Sequence, residues 1–375
     1  MERSYPLAPS GMTQRLAGGG QAAWLRLNAG ARASLATLAF RWLVVACMGA
    51  TVLITWPLWG VHESPPMLPA VALPAVALGW PLLGSLAVIL VAPVVGMALH
   101  TALVLYAVLI DQTRLQPEVV SLLFLLWGTL PHATAKALAR AHLVSLWAFA
   151  GVNKLFSPAF LDETAPRLIG GLIDEPPARL LANAGYLIAA TELGTGLLAL
   201  VPRTRRLAAV VAFGLHTGIL VDLSPLGLDR NEAVWPWNVA LAFAGFALIW
   251  PWRESPWRTL LGCHRGVRPL LLLLVVAPAG FYVGITDAYL AHNLYSSNTA
   301  SATSTSLPPS ETWIAFKVPL PPEHRLFKQY FHATCGPGDR MVITDTRWWY
   351  RRRGQDHVVL RCPPERRGDA STADD

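Results

Sequence analysis

Charge is what this chain has least of. Only 14% of its 375 residues are Asp, Glu, Lys or Arg, against roughly 25% in a soluble domain, which excludes a soluble enzyme core, a coiled coil and a disordered scaffold. Cysteine is scarce too: four residues, none in a CxxC pair. That excludes a disulfide-rich secreted module and gives no support to a dithiol redox mechanism. The ten histidines show no HxxxH or HExxH spacing and no phosphate-cradling glycine loop is present, so neither a metal centre nor a nucleotide site is expected.

What abounds is apolar sequence, 53% of residues with mean hydropathy +0.41. It comes in unbroken runs of about 17 to 25 residues, the length that crosses ~30 Å of hydrocarbon. Lipid offers backbone groups no partners, so spans must be helices or closed barrels, and the runs lack the short alternating segments of a barrel. The fold class expected is an all-α polytopic membrane protein with about nine transmembrane helices (eight to ten) and a small β-rich extracytoplasmic C-terminal appendage. The spans fall near 42–60, 67–83, 85–110, 119–131, 141–158, 181–201, 207–223, 234–251 and 269–288. The fourth is short enough to be re-entrant.

A formal charge of +7 raises the question of nucleic acid, but the arginines sit in loops between apolar runs, where they encode membrane orientation. One side carries Arg3, Arg15, Arg26, Arg32, Arg41, Lys136, Arg140, Arg203, Arg205, Arg206, Arg253, Arg258, Arg265 and Arg268. The other side's short loops carry Arg114, Arg167, Arg179 and Arg230. This bias predicts a bacterial-type inner (plasma) membrane protein with a cytoplasmic N-terminus and an extracytoplasmic tail, with membrane lipid as partner and no nucleic acid.

The expected organisation is a cytoplasmic segment over 1–40, a helical bundle over 41–290, a linker over 291–310 and a β-rich tail over 311–375. No cleavable signal peptide is visible before Arg41, and Trp24–Phe40 is readable as an interfacial amphipathic helix. The linker reading rests on the Ser/Thr/Asn-rich stretch from His292 to Ser310. In the tail, TWIAFKVPL, RMVITDTRWWYRRR and HVVLRC read as strands, with Gly336, Gly338 and Gly354 at turns. Cys335 and Cys362 would face an oxidising compartment and are expected to pair.

Ionisable side chains inside spans mark a site by default. They are His100, Asp111, Lys154, Glu192, His216 and Asp222, with Asn238 as a neutral companion. Blander readings stand beside the functional ones. His100 and His216 serve equally as interhelical hydrogen-bonding groups, and Asp111 and Asp222 as solvated helix ends. Glu192, among the small residues of Thr191-Glu192-Leu193-Gly194-Thr195-Gly196, suits an interhelical hydrogen bond. Trp237, in Trp235-Pro236-Trp237-Asn238, suits an interfacial anchor better than a quinone-stacking platform. Lys154 is the most informative, because it stands at the outer end of the fifth span, where positive charge is not retained. It either snorkels to the surface or is held in an apolar pocket as a proton acceptor.

The run Ala150-Gly151-Val152-Asn153-Lys154-Leu155 closely resembles the AGVKKL segment of vitamin K-dependent γ-glutamyl carboxylases, members of the horizontally transferred transmembrane region family. Ile110-Asp111-Gln112-Thr113 resembles the family's segment after its third hydrophobic stretch. Leu200-Val201-Pro202-Arg203-Thr204-Arg205 and Phe213-Gly214-Leu215-His216 resemble a helix end with Pro and Arg followed by a helix bearing a histidine. The resemblance covers roughly residues 35–290. It implies reduced vitamin K or another quinol as cofactor, no metal, and a peptide substrate. In that chemistry a lysine deprotonates the quinol, reaction with oxygen yields a strong base that removes a glutamate γ-proton, and carbon dioxide adds. By resemblance Lys154 is the base and His216 stabilises an intermediate or positions it. From the residues themselves, Glu192 is a further catalytic candidate, and Asp111, Asn153, Trp237 and Asn238 are the candidates for holding the quinol.

The chain also departs from the pattern: Asn153 replaces the first of two lysines, no histidine stands near Glu118, and the tail is only about 85 residues. The function expected is carboxylase- or epoxidase-like quinol chemistry in a lyase of this family. The rivals are a non-catalytic membrane binding or scaffold protein, whose tail is the recognition element, and a DoxX-like oxidoreductase subunit.

Overall fold

The computed structural model describes residues 34–173 and 175–363. Most of the N-terminal segment, including the first part of Trp24–Phe40, and the chain end after Pro363 lie outside the described residues. Helix α1 (Leu35–Ile54) begins at Ser34, whose Oγ accepts from the Thr37 N–H. The stretch from Val61 to Leu78 is irregular, with a turn at 63–66, instead of helical. It contains Pro65, Pro66, Pro69 and Pro74, which lack the N–H a helix needs.

Helices α2 (Gly79–Val91) and α3 (Pro93–Ile110) form a hairpin that turns at Ala92. Ser85 Oγ on α2 meets His100 Nδ1 on α3 at 2.7 Å, which fixes the antiparallel register. Hydropathy alone divides these two spans at Gly84, but the reversal occurs before Pro93, where the residue preceding proline is driven out of helical backbone. Helix α4 (Pro117–Gly128) follows, then α5 (Ala133–Leu155), a π-helical turn at Phe160–Thr164, α6 (Ala165–Leu172), α7 (Ala178–Leu200), α8 (Arg205–Leu223), α9 (Trp235–Ala244) extended by a π-helical turn to Ile249, α10 (Pro256–Gly262) and α11 (Arg268–Val276).

Five helical segments among the described residues are long and apolar enough to cross a membrane: α1, α3, α8, Glu232–Ile249 and Arg265–Val283. A sixth results if α5 and Phe160–Gly171, bent by 89°, form one broken span. The expected nine are not reached by this measure. With 13 and 12 residues, α2 and α4 extend only about 20 and 18 Å at 1.5 Å per residue. Helix α7 is 23 residues long but carries Arg179, Asn183, Thr191, Glu192 and Thr195.

Arginines tie the helix ends together on one side of the bundle. Arg41 on α1 donates to Oγ1 and the carbonyl of Thr129, just beyond α4, at 3.2 and 3.1 Å. Arg140 on α5 donates to Leu248 O at 3.0 Å, and Arg205 on α8 to the carbonyls of Ala199, Trp252 and Glu254. These guanidiniums satisfy carbonyls left without intrahelical partners.

The tail lies at the opposite end. A three-stranded antiparallel sheet, β1 (Ser301–Ser304), β2 (Arg340–Thr344) and β3 (His357–Arg361), has β2 at its centre. Helix α12 (Glu311–Phe316) precedes α13 (His324–Thr334), which buries Leu326, Phe327, Tyr330 and Phe331 against Met341, Ile343 and Leu68. Because Leu68 belongs to the bundle, tail and bundle share this core. The expected Cys335–Cys362 disulfide is present, and Gly338 and Gly354 have positive φ at turns.

Three expectations for this region are corrected. TWIAF and Trp348–Arg352, the latter α14, are helical; aromatic-rich runs this short read as strands from propensity, but tertiary contacts decide them. The segment 291–310, expected as a linker, is packed against the bundle over its first part instead of hanging free. Asn298 accepts at Oδ1 from Asn293 and Ser296 and donates to Asn153 O at 3.0 Å. Asn293, Ser296 and Asn298 are buried and hydrogen-bonded to one another and to α5, and the end of the segment supplies β1.

Candidate functional site

Helices α5 and α7 touch backbone to backbone. A Cβ on Gly151 would stand 2.5 Å from Ala189 O, and one on Gly196 2.7 Å from Ala148 N. Only glycine permits this approach, and it sets two long polar side chains side by side: Lys154 Nζ donates to Glu192 Oε2 at 2.7 Å, both groups being buried. The ring of Phe160, on the turn after α5, lies 5.6 Å from Nζ. Snorkelling is thereby excluded, since the ammonium points into the bundle toward α7.

The pair forms part of the wall of a cavity of about 280 Å³. The remaining wall is mostly apolar, including Leu146, Trp147, Leu168, Ile188, Ile219 and Leu294. Gly214 and Gly218, one turn apart on α8, are exposed and have no neighbour within 4 Å of a built Cβ. They leave a gap in the side of the bundle. Several polar atoms of wall residues are without partners among the described residues, among them the buried Trp237 Nε1 and Asp222 Oδ1 and Glu192 Oε1, since only Oε2 is bonded.

His216 lies in the wall with both nitrogens engaged. The Trp147 indole N–H donates to Nε2 at 2.9 Å. An indole can only donate, so Nε2 carries the lone pair. Nδ1 lies 2.9 Å from Asn238 Oδ1, and Asn238 Nδ2 donates to Val234 O at 3.0 Å, so the amide oxygen faces the ring and Nδ1 holds the hydrogen. The neutral imidazole is a fixed strut, and Asn238 is its orienting partner.

The other expected residues divide. Trp237 is in the wall. Asn153 is not: its amide donates to Ala291 O at 2.8 Å and accepts from Tyr282 Oη at 2.6 Å, anchoring the segment that leads into the tail. Asp111 is buried at the foot of the 61–78 stretch, accepting from the N–H groups of Leu68 and Thr113 and contacting His62 Nε2 at 3.1 Å. It is neither a solvated helix end nor part of this cavity. His100 is the interhelical group of the α2–α3 hairpin.

Two residues of the wall were missed in the sequence. His292 and Tyr295 come from the segment read as a linker, both in left-handed backbone (φ 57° and 58°). Neither ring nitrogen of His292 is bonded to a described residue. It also lines a second cavity of about 430 Å³ between α4, α5 and α11, where its ring meets that of His142 edge-on at 5.2 Å. Non-glycine residues in left-handed backbone persist where surrounding contacts enforce them, often at functional sites. That signal is conformational and invisible in composition.

No protein-family model, curated protein or solved structure matches this chain.

Proposed function

We propose that this chain is a polytopic inner-membrane protein resembling the vitamin K-dependent carboxylases, and that its cavity receives the ring of a quinol. The observation that supports this most directly is the buried Lys154–Glu192 pair in the wall of an apolar cavity open at Gly214 and Gly218. The side gap suits a lipophilic molecule entering from the bilayer. The unpartnered Trp237 N–H and Glu192 Oε1 suit an oxygen and a hydroxyl of that molecule.

The pair holds one ionisable proton between amine and carboxylate. A weakly acidic hydroxyl placed beside it yields a second, leaving an ammonium and a neutral acid next to the new negative charge. When bound, the quinol supplies the oxygen-dependent chemistry. In this reading the shared proton passes from Nζ to Glu192 Oε2 across the 2.7 Å contact, the freed Lys154 amine accepts the hydroxyl's proton, and His216 with Trp147 and Asn238 shapes the cavity.

The topology that accords with this reading has nine crossings, with α2, α4 and α7 added to the six above, and a cytoplasmic N-terminus. Lys154 and the tail then face the extracytoplasmic side, as the arginine bias favours. The committed ring of His216 favours a second reading, in which the cavity binds a lipophile without turning it over.

The test is quinol-dependent oxygen consumption by the purified protein in nanodiscs, with reduced menaquinone and reduced vitamin K, for the wild type, Lys154→Ala and Gly218→Leu. Consumption by the wild type alone supports the proposal. Undiminished consumption in Lys154→Ala removes Lys154 as the base, and none in any sample leaves the binding reading.

A further inference from the structure

We infer that the groove where the tail meets the ends of α5 and α11 binds the headgroup of an anionic phospholipid. The inference rests on the membrane-spanning reading, but not on quinol chemistry. Helix α14 is seated against the end of the Arg265–Val283 segment. The Arg347 guanidinium lies 4.4 Å from the Phe281 ring centroid, and Gly284 adjoins the Trp349 ring and the Tyr350 hydroxyl. Between α14 and the end of α5 is a groove of about 610 Å³. Phe156, Pro158 and Tyr282 line one side, and Arg347, Trp348 and Arg351 the other.

Two large aromatics of this groove are bare, Phe156 at 68% and Trp348 at 60% exposure. They stand where two apolar helical segments end, the level at which aromatic side chains mark the membrane surface. Arginines are concentrated at the same place. Arg347 is committed to Asp345, donating from Nε and a terminal nitrogen at 3.0 and 2.6 Å to Oδ2. Arg351, Arg352 and Arg353 form no ion pair among the described residues. Arg352 and Arg353 instead lie over the rings of Trp348 and Trp349, at 5.4 and 4.1 Å from their centroids.

The unpaired Arg351 guanidinium in the groove wall, with Arg352 and Arg353 following it in the chain, complements an anion that carries hydrocarbon. A phosphodiester takes guanidinium hydrogen bonds, while its chains lie along Phe156 and Trp348. A free phosphate would use the arginines and leave the aromatics bare.

The test is native mass spectrometry of the full chain released from nanodiscs of equal phosphatidylcholine and phosphatidylglycerol, for the wild type, Arg351→Gln/Arg352→Gln/Arg353→Gln, and Trp348→Ala. The wild type is expected to retain phosphatidylglycerol preferentially. The preference should drop roughly fivefold for each arginine lost, and total retained lipid should fall in Trp348→Ala. Glycerol phosphate, which has the charge without the chains, is expected not to displace the lipid. Equal preference in the wild type and the triple variant overturns the inference and leaves the arginines to an acidic protein partner. Displacement by glycerol phosphate at matched concentration overturns it in favour of a soluble anion. A chain that stays monodisperse without lipid or detergent would instead defeat the membrane reading itself.

Discussion

Lys154 and Glu192 are joined at 2.7 Å across an interface where α5 and α7 touch through glycine. Removing one partner strands a charge in an apolar wall, whereas removing both does not. Lys154→Met and Glu192→Leu are each expected to cost about 3 to 5 kcal/mol, and the double variant much less. Thermal unfolding in detergent, run as a double-mutant cycle, measures the difference. Small losses in the single variants that simply add in the double variant would mean that the pair is solvated.

Glycines on the two faces of this region should respond in opposite ways. Gly196→Val drives a side chain into the backbone of Ala148, and its unfolding midpoint should drop sharply. Gly214→Leu and Gly218→Leu project into open space and should leave the midpoint nearly unchanged while abolishing binding of a lipophilic quinone. Quenching of the cavity tryptophans by a titrated quinone reads the second effect. Unaltered quenching in both leucine variants would place the ligand elsewhere.

The Trp147 N–H is the sole donor to His216 Nε2 among the described residues. Trp147→Phe leaves a buried acceptor unpaired and is expected to cost about 1 to 3 kcal/mol beyond lost packing. Nitrogen NMR of labelled histidine should show the tautomer protonated at Nδ1 in the wild type and a mixture in the variant. A wild type protonated at Nε2 would contradict the network.

The residues legible in the sequence were those that break a composition rule. A lysine and a glutamate inside apolar runs are costly alone, and Lys154 and Glu192 do form a buried ion pair, while Cys335 and Cys362 do pair. What was hidden depends on distant partners. Nothing near His292 shows that Asn153, some 140 residues earlier, binds the carbonyls and amides of its segment. His216 and Asp111 stood out for their chemistry, but only Trp147, Asn238 and Leu68 reveal them as structural groups. The break at Pro93 was readable from the restricted residue before proline, yet the uninterrupted hydropathy outweighed it.

The Cys335–Cys362 bridge closes a loop of 27 residues around α14, β2 and β3. Chain-entropy reasoning assigns such a loop about 3 to 4 kcal/mol. Cys335→Ser/Cys362→Ser is expected to lower the stability of the tail by that order, seen as faster amide exchange in β2 and β3, with α5 and α7 unaffected. Unchanged exchange would show that burial against Leu68 and Tyr330 suffices.

Tail docking should also depend on pH through Glu323. Burial pushes its carboxyl up to about 7, despite the Ala288 N–H donating to Oε1 at 2.6 Å. Between about 4.5 and 7 the folded chain therefore holds a proton that the unfolded chain has released, so stability falls as pH rises through this window. The loss is on the order of 3 kcal/mol. Asp345 acts at the other end. Burial favours its neutral form, but His324 and Arg347 outweigh that and hold it below the usual carboxylate range, so its contribution is lost only as pH falls below about 3.8. Glu323→Gln removes the first window and leaves the second. Amide exchange at Ala288 and in α13, followed from pH 4 to 8, should accelerate with pH beyond the intrinsic chemical rate in the wild type but not in Glu323→Gln. The same pH dependence in both proteins would assign the effect to another group.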